Sequence, residues 1–257
     1  MPFFIARHKY HLNKQVMTNS NLATTIEPIG IVHSPFKQKF GIPRQPSLAS
    51  AVTAIIELQP NYDSPNMVRD LEQFSHLWLI FQFHQNITHG WKSLVRPPRL
   101  GGNKKTGVLA TRSTFRPNGL GMSAVKLERV IIKNNRASIE VSGIDLLDGT
   151  PIFDIKPYIP YSDSLTQASG GYAQEPPTQL MQVQFSEQAQ VTLAQQPNSE
   201  KLQALIEQIL AQDPRPAYKK DSTDDKEYAI ELYHYDIKWH VSNSLIIVSQ
   251  IQTINQN

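Results

Sequence analysis

Between Ile26 and Ile155 the chain consists of short apolar runs, rich in branched and aromatic residues, separated by Gly, Pro, Asn and Asp. That pattern limits the possible folds, because amphipathic helices need longer periodic runs, whereas strands need only a few residues between turns. The runs are Ile26–His33, Thr53–Leu58, His76–Phe83, Gly107–Thr111, Ser123–Lys133, Ala137–Ile144 and Pro151–Ile155. Seven candidate strands suggest a barrel or a sandwich. One helix is expected among them, at Ser64–Gln73. There Ser64 can cap, Pro65 takes the first helical position, and Met67, Val68 and Leu71 supply an apolar stripe. One helix among seven strands is not the alternation of an α/β sheet.

The flanks differ from this block. Residues 1–24 carry Arg7, Lys9 and Lys14 with no acid and no sustained period, and are expected to form a flexible leader; Met17 offers a second start. Residues 25–160 form the β-rich domain. A stretch rich in Ser, Gly, Gln and Pro marks a linker over 161–178. Residues 179–257 then predict a small α+β domain: a strand at Leu180–Phe185, helices over Glu187–Gln195 and Glu200–Gln212, and closing strands at Tyr228–Val241 and Leu245–Ile251. Leu202, Leu205, Ile206, Ile209 and Leu210 fall at helical spacing and form a core stripe.

Composition excludes several functions. No apolar run approaches the roughly 20 residues that span a bilayer, and Met1 to Ala6 is too short for a signal peptide, so cytoplasm is the expected location. The absence of cysteine removes disulfides, Cys-based zinc sites and thiol catalysis. The eight histidines show no metal-ligand spacing, and no metal is expected. Net charge is only +3, but its distribution is uneven: between Glu72 and Glu128 there is no acid, while Lys92, Arg96, Arg99, Lys104, Lys105, Arg112, Arg116 and Lys126 fall in that stretch. The surface it forms suits an anionic partner unless acids from elsewhere in the fold neutralise it.

Four clusters combine prolines, glycines and polar residues where a strand would want branched apolar ones. Gly41 to Pro46 can present Arg44 rigidly between its prolines. Phe83-His84-Gln85 ends a strand with two polar side chains, His84 being either a ligand group or a hydrogen-bonded rim histidine. Arg96 to Asn103 and Gly107 to Ser123 interleave arginine, glycine and aromatic residues, a composition suited to nucleotide or RNA contact. Neither a phosphate-binding P-loop nor the dinucleotide fingerprint is present, which disfavours a Rossmann methyltransferase. The fourth, Asp145 to Pro160, sets acids around a Gly149-Thr150-Pro151 turn; Asp145 and Asp148 are candidate ligand groups, and Asp154 beside Lys156 reads better as loop-shaping.

Glu27 to Tyr161, with Phe74-Ser75-His76-Leu77-Trp78, Arg96 to Gly102, Arg112 to Asn118 and Asp145 to Pro160, resembles the TrmO family, and the likeness resumes at Ala211 to Tyr218. Members of that family methylate the exocyclic nitrogen of threonylcarbamoyl-adenosine beside the tRNA anticodon. The resemblance implies a closed β-barrel methyltransferase domain of non-Rossmann type, a small C-terminal α+β domain and a homodimer. It implies S-adenosylmethionine contacts from Pro43, Arg44, Gln45, His84, Gln85, Arg112, Met122 and Asp145-Leu146-Leu147-Asp148. Where the family usually has proline after Asn118, this chain has Gly119, which frees a backbone angle.

If that activity holds, alignment of donor and acceptor matters more than a covalent side chain. The weakly nucleophilic urea-like nitrogen invites a general base, with Asp213 and Tyr218 as candidates on the substrate side. Arg116 suits the threonyl carboxylate, and Arg96, Arg99, Lys104 and Lys105 suit anticodon-loop phosphates. The competing expectations are a noncatalytic RNA-binding or regulatory barrel that retains the donor pocket, and a barrel methyltransferase for another small molecule.

Overall fold

A computed structural model of the chain describes residues 24–175, 180–216 and 226–254. Its first part is a closed barrel. β1 (Gly30–His33), β2 (Thr53–Leu58) and β3 (His76–Gln82) are followed by a two-residue ribbon, β4 (Leu94–Val95) with β5 (Thr106–Gly107). β6 (Leu120–Lys133), β7 (Arg136–Ser142) and β8 (Pro151–Pro157) complete the wall, in the order β1-β2-β7-β6-β3-β8. Every pairing around it is antiparallel, and closure rests on Gly30 opposite Ile152 and Ile31 opposite Pro151.

Period-two alternation fills the interior. Leu77, Leu79 and Phe81 of β3 point inward, as do Ala54, Ile56 and Leu58 of β2 and Val125 and Leu127 of β6; all are buried. Each of these side chains larger than Ala54 contributes about 1.5–3 kcal/mol on leaving water. Gly121 makes room for this packing: opposite Phe81, an added Cβ would lie 2.4 Å from the Phe81 ring and 2.9 Å from Phe83.

The structure corrects three expectations from the sequence. Ser64–Gln73 is not one helix but two short 3-10 turns, Pro65–Val68 and Leu71–Gln73. Ser64 does cap, accepting from the Asn66 amide, but Arg69 is extended and Asp70 is left-handed with φ 64. The side chains of Asn66 and Asp70 accept from Arg69 Nη2 at 2.6 Å and from Gln73 Nε2 at 3.3 Å. Gly107–Thr111 is largely a 3-10 turn at Val108–Ala110, closed by the Thr111 amide and hydroxyl, which both donate to the Val108 carbonyl. Tyr228–Val241 is a hairpin, not one strand.

After β8, the single helical turn α1 (Pro160–Asp163) is pinned to the barrel, because Asp163 accepts from Trp78 Nε1 and the Ile159 amide, both at 2.9 Å. A further 3-10 turn at Gly171–Ala173 lies within the stretch expected to be linker. The C-terminal part contains β9 (Gln182–Phe185), α2 (Glu187–Ala194), α3 (Ser199–Leu210), β10 (Tyr228–Leu232), β11 (Tyr235–Ser242) and β12 (Leu245–Thr253). The sheet order is β10-β11-β12-β9, with β9 parallel to β12. The apolar stripe of α3 is buried as expected, around Trp239, Ile230 and Ile237. Among the described residues, no helix is long and apolar enough to cross a membrane.

The C-terminal sheet also meets the barrel. Phe36 bridges to Leu232, and the Tyr233 amide donates to the Pro35 carbonyl at 2.8 Å. The β10–β11 turn is therefore held by this contact in addition to the Leu232–Tyr235 pairing and the Ile254 amide, which donates to the His234 carbonyl at 2.7 Å.

Candidate active site

Three connections leave the barrel at one mouth: the β1–β2 loop (34–52), the β3–β6 excursion (83–119) and the β7–β8 loop (143–150). Antiparallel order forces them to the same end, so clusters separated by up to a hundred residues in sequence become neighbours.

Side chains join the loops. Arg112 donates from Nη1 to Gln45 Oε1 at 2.6 Å, and Gln45 Nε2 donates to the Arg44 carbonyl at 2.6 Å. Pro43 is buried while Arg44 is exposed, so this loop has a fixed foot and a free guanidinium. Lys39 donates to Asn86 Oδ1 at 2.8 Å and to the Gln85 carbonyl at 3.4 Å, tying the same loop to the His84-Gln85 turn. The Ser47 amide donates to the Gly143 carbonyl at 2.8 Å, and Gly143, at φ +69, leaves no ordinary room for a Cβ against the Ser47 backbone.

Asp145 sits where these loops meet. Burial pushes its carboxyl up to about 6, although the Ser123 hydroxyl donates to it at 2.7 Å and Arg112 adds a favourable field. Ser123 is itself buried at an inward position of β6, a polar residue where Val125 and Leu127 are apolar. That break in the strand's alternation was the sequence signal for a partner to Asp145. His84 has its affinity for a proton lowered, first by burial; a hydrogen bond to the Gln82 backbone opposes this, and the charge of Lys39 adds to it.

Other expected site residues have different surroundings. Asp148 is engaged within the protein: it accepts from the Ser34 amide at 2.9 Å and from Lys37 Nζ at 2.6 Å, which fastens the β1–β2 loop to the β7–β8 loop. Leu146 and Leu147 are buried in the core, and their carbonyls accept from the Ser34 and Thr150 hydroxyls. Met122 is exposed and, by strand alternation, lies on the outer wall, opposite in direction to Ser123. Asp154 lies in β8 and not in a turn, 3.1 Å from Lys156.

The electropositive segment forms the excursion between β3 and β6. Arg96, Lys104 and Lys105 are exposed on and beyond the β4–β5 ribbon. Arg99 donates to the Glu175 carbonyl, and half-buried Arg116 donates to the Thr111 carbonyl. Lys92 lies over the Phe115 ring at 4.4 Å. Among the described residues, none of the seven cations from Lys92 to Arg116 forms an ion pair with a carboxylate.

Asp213 differs from expectation in its chemistry. It is buried at φ 48 beyond α3, and its carboxylate takes a bidentate pair from buried Arg215, Nε to Oδ1 at 2.8 Å and Nη2 to Oδ2 at 3.0 Å. A carboxylate so engaged ties Arg215 to the turn that follows α3. Tyr218 lies outside the described residues. Among the described residues, no cluster of three or more potential metal ligands occurs.

Fold and loops together define a closed-barrel protein with an electropositive, loop-built site at one mouth and a small α+β domain packed beside it. Residues 31–164 match the family model of the tRNA-methyltransferase O N-terminal domain, and residues 178–254 match that of the TrmO C-terminal domain; the chain belongs to the TrmO family. It is 45% identical over 219 residues to the tRNA (adenine(37)-N6)-methyltransferase of Escherichia coli, covering 85% of this chain and 93% of that protein. It is 47% identical over 218 residues to RcsF of Pseudomonas aeruginosa, named as a candidate S-adenosylmethionine-dependent methyltransferase, covering 84% and 92% respectively. A crystal structure of TrmO from Pseudomonas aeruginosa superposes with a TM-score of 0.73 at 39% identity, over 90% of this chain and 99% of that one.

Proposed function

We propose that this protein transfers a methyl group from S-adenosylmethionine to the exocyclic nitrogen of an adenosine beside the tRNA anticodon, and that the adenosine carries the threonylcarbamoyl group. The observation that carries the reading is the convergence of Arg112, Gln45 and the half-buried Asp145 carboxyl at one barrel mouth, flanked by cations without ion-pair partners among the described residues. The relatives named above supply the reaction class.

The site's donor set fits a cationic ligand that also carries a carboxylate. S-Adenosylmethionine, when bound, supplies an electrophilic methyl group and needs no covalent help from the protein. Asp145, costly to ionise where it stands, would be compensated by a positive group of the ligand. Arg44 and Arg112 offer guanidinium forks for a carboxylate, and Gln45 sets the angle of Arg112. Water is limited on the barrel side because the lumen below Asp145 is packed with apolar side chains. Alignment is then the main contribution of these residues to the rate.

On the acceptor side, an anticodon nucleotide is unpaired and can be turned outward at modest cost. Arg96, Lys104 and Lys105 suit its phosphates, and Arg116 suits the carboxylate of the threonyl group. The homodimer and the cytoplasmic setting implied by the resemblance belong to the same proposal. Transfer of labelled methyl to tRNA purified from cells with and without the threonylcarbamoyl modification tests it. Label confined to the modified tRNA is expected; equal labelling of both would remove the proposed substrate, and no labelling of either would remove methyl transfer.

A further inference from the structure

The β1–β2 loop that carries Pro43, Arg44 and Gln45 does not hold itself up. Between Ser34 and Val52 it contains no regular strand or α-helix, yet it is fastened to the C-terminal domain at several separate places. Phe36 bridges to Leu232 of β10. Gly41, at φ +89, lies so close to β10 and α3 that an added Cβ would meet Ile230 at 3.2 Å and Ile209 at 3.8 Å. The last anchors are polar: the Ala51 amide donates to Gln208 Oε1 at 2.8 Å, and Gln212 Nε2 donates to the Leu48 carbonyl at 3.3 Å.

Gln208 lies on α3 and Gln212 in the turn just past its C-terminal end, and Gln212 Nε2 also donates to the Gln208 carbonyl at 2.9 Å. Both side chains are half-buried, and they reach residues 157 and 164 positions away in the chain. From the anchored segment, the Ser47 amide continues to Gly143 beside Asp145, and Gln45 continues to Arg112. A path of direct hydrogen bonds and chain thus leads from α3 to the residues placed around the donor.

We propose that Gln208 and Gln212 are positioning residues that set the β1–β2 loop, and with it Gln45 and Arg112, for donor binding; the proposal rests on the function argued above. The C-terminal domain then acts as a brace for a site to which it lends no contact of its own from α3. The specific requirement is an acceptor oxygen at Gln208 for the Ala51 amide. Glutamate meets it, and methionine of similar volume does not.

The test uses the full chain. Affinity for S-adenosylhomocysteine is measured by titration calorimetry for wild type, Gln208→Met, Gln208→Glu and Gln208→Met with Gln212→Met. Amide hydrogen exchange is followed at 43–51 in the same proteins without ligand. Loss of one net hydrogen bond predicts about five- to tenfold weaker binding in Gln208→Met. Recovery to within about twofold is expected in Gln208→Glu, together with faster exchange at 43–51 in the methionine variants only. Wild-type affinity in the double variant, or a glutamate variant as weak as methionine, would overturn the brace. If wild type binds no donor analogue, the functional reading fails; the exchange comparison still judges the brace, and unchanged exchange at 43–51 would overturn it. Should the double variant not fold, the two single Gln208 variants carry the same comparison.

Discussion

Arg112 and Gln45, 67 residues apart in sequence, meet at 2.6 Å across the barrel mouth, and Gln45 in turn closes on the carbonyl of Arg44. The contact turns two loops into one surface beside Asp145. Arg112→Ala removes a charged donor from that surface. Loss of a charge-assisted hydrogen bond of about 1.5–3 kcal/mol predicts donor binding weaker by about ten- to a hundredfold. Because Arg112 is exposed, thermal stability should change by less than about 0.5 kcal/mol. Gln45→Ala, which removes only the orienting group, should lie between wild type and Arg112→Ala in the same titration.

The Asp145 carboxyl gives a pH signature. Its folded-state value, about 6, lies above the ordinary 3.8, so between about 4 and 6 the folded protein keeps a proton that the unfolded chain has released. Stability from this group is therefore present at low pH and lost as pH rises through about 6. Denaturation midpoints of wild type and Asp145→Asn should diverge across that window, with the wild type losing ground as pH rises. Binding of a cationic donor should follow the opposite course, strengthening through the same window in wild type and staying flat in the variant.

The barrel was legible in outline from short runs and turns, since inward positions on β2, β3 and β6 alternate as the pattern demanded. The Ser64–Gln73 helix does not form because capping signals announce a first turn without guaranteeing a second, and the chain breaks at extended Arg69 and left-handed Asp70. The hairpin at Tyr233 carried no Gly or Pro; its anchor is the Pro35 carbonyl, nearly two hundred residues away, which local sequence cannot reveal. Loop clusters such as Gly41 to Pro46 were visible as chemistry. What each faces was not: Asp148 is committed to Ser34 and Lys37, Asp213 to Arg215, and the supporting Lys39 and Gln208 carry no motif.

The Asp213–Arg215 pair separates two roles cleanly. Removing one partner of a buried ion pair costs about 3–5 kcal/mol. Asp213→Ala should therefore lower stability on that scale in urea denaturation. A variant with wild-type stability and abolished methyl transfer would instead restore Asp213 as a proton acceptor.

A positive backbone angle fixes Gly119, and side-chain packing fixes Gly121. Gly119, at φ +60, donates its amide to the Arg116 carbonyl, and proline would lose both the angle and the donor. Gly119→Pro should destabilise by more than about 1 kcal/mol, and Gly121→Val by about 1–3 kcal/mol or more through collision with Phe81. Denaturant midpoints at constant slope provide the check.

The cations of the β3–β6 excursion should act through phosphates. Lys104→Ala with Lys105→Ala should weaken tRNA binding and lower the salt slope of log K by about 1 to 2, while donor affinity stays unchanged. Fluorescence anisotropy across a salt series gives both quantities.

Hydrogen exchange with and without S-adenosylhomocysteine locates the donor most directly. Protection should appear together in 34–52, 83–119 and 143–150, the three loops of one mouth, and should weaken in Arg112→Ala. Protection confined to the groove at the other end of the barrel, where Pro65, Arg69 and Glu72 face Val130 and Ile132, would contradict the account.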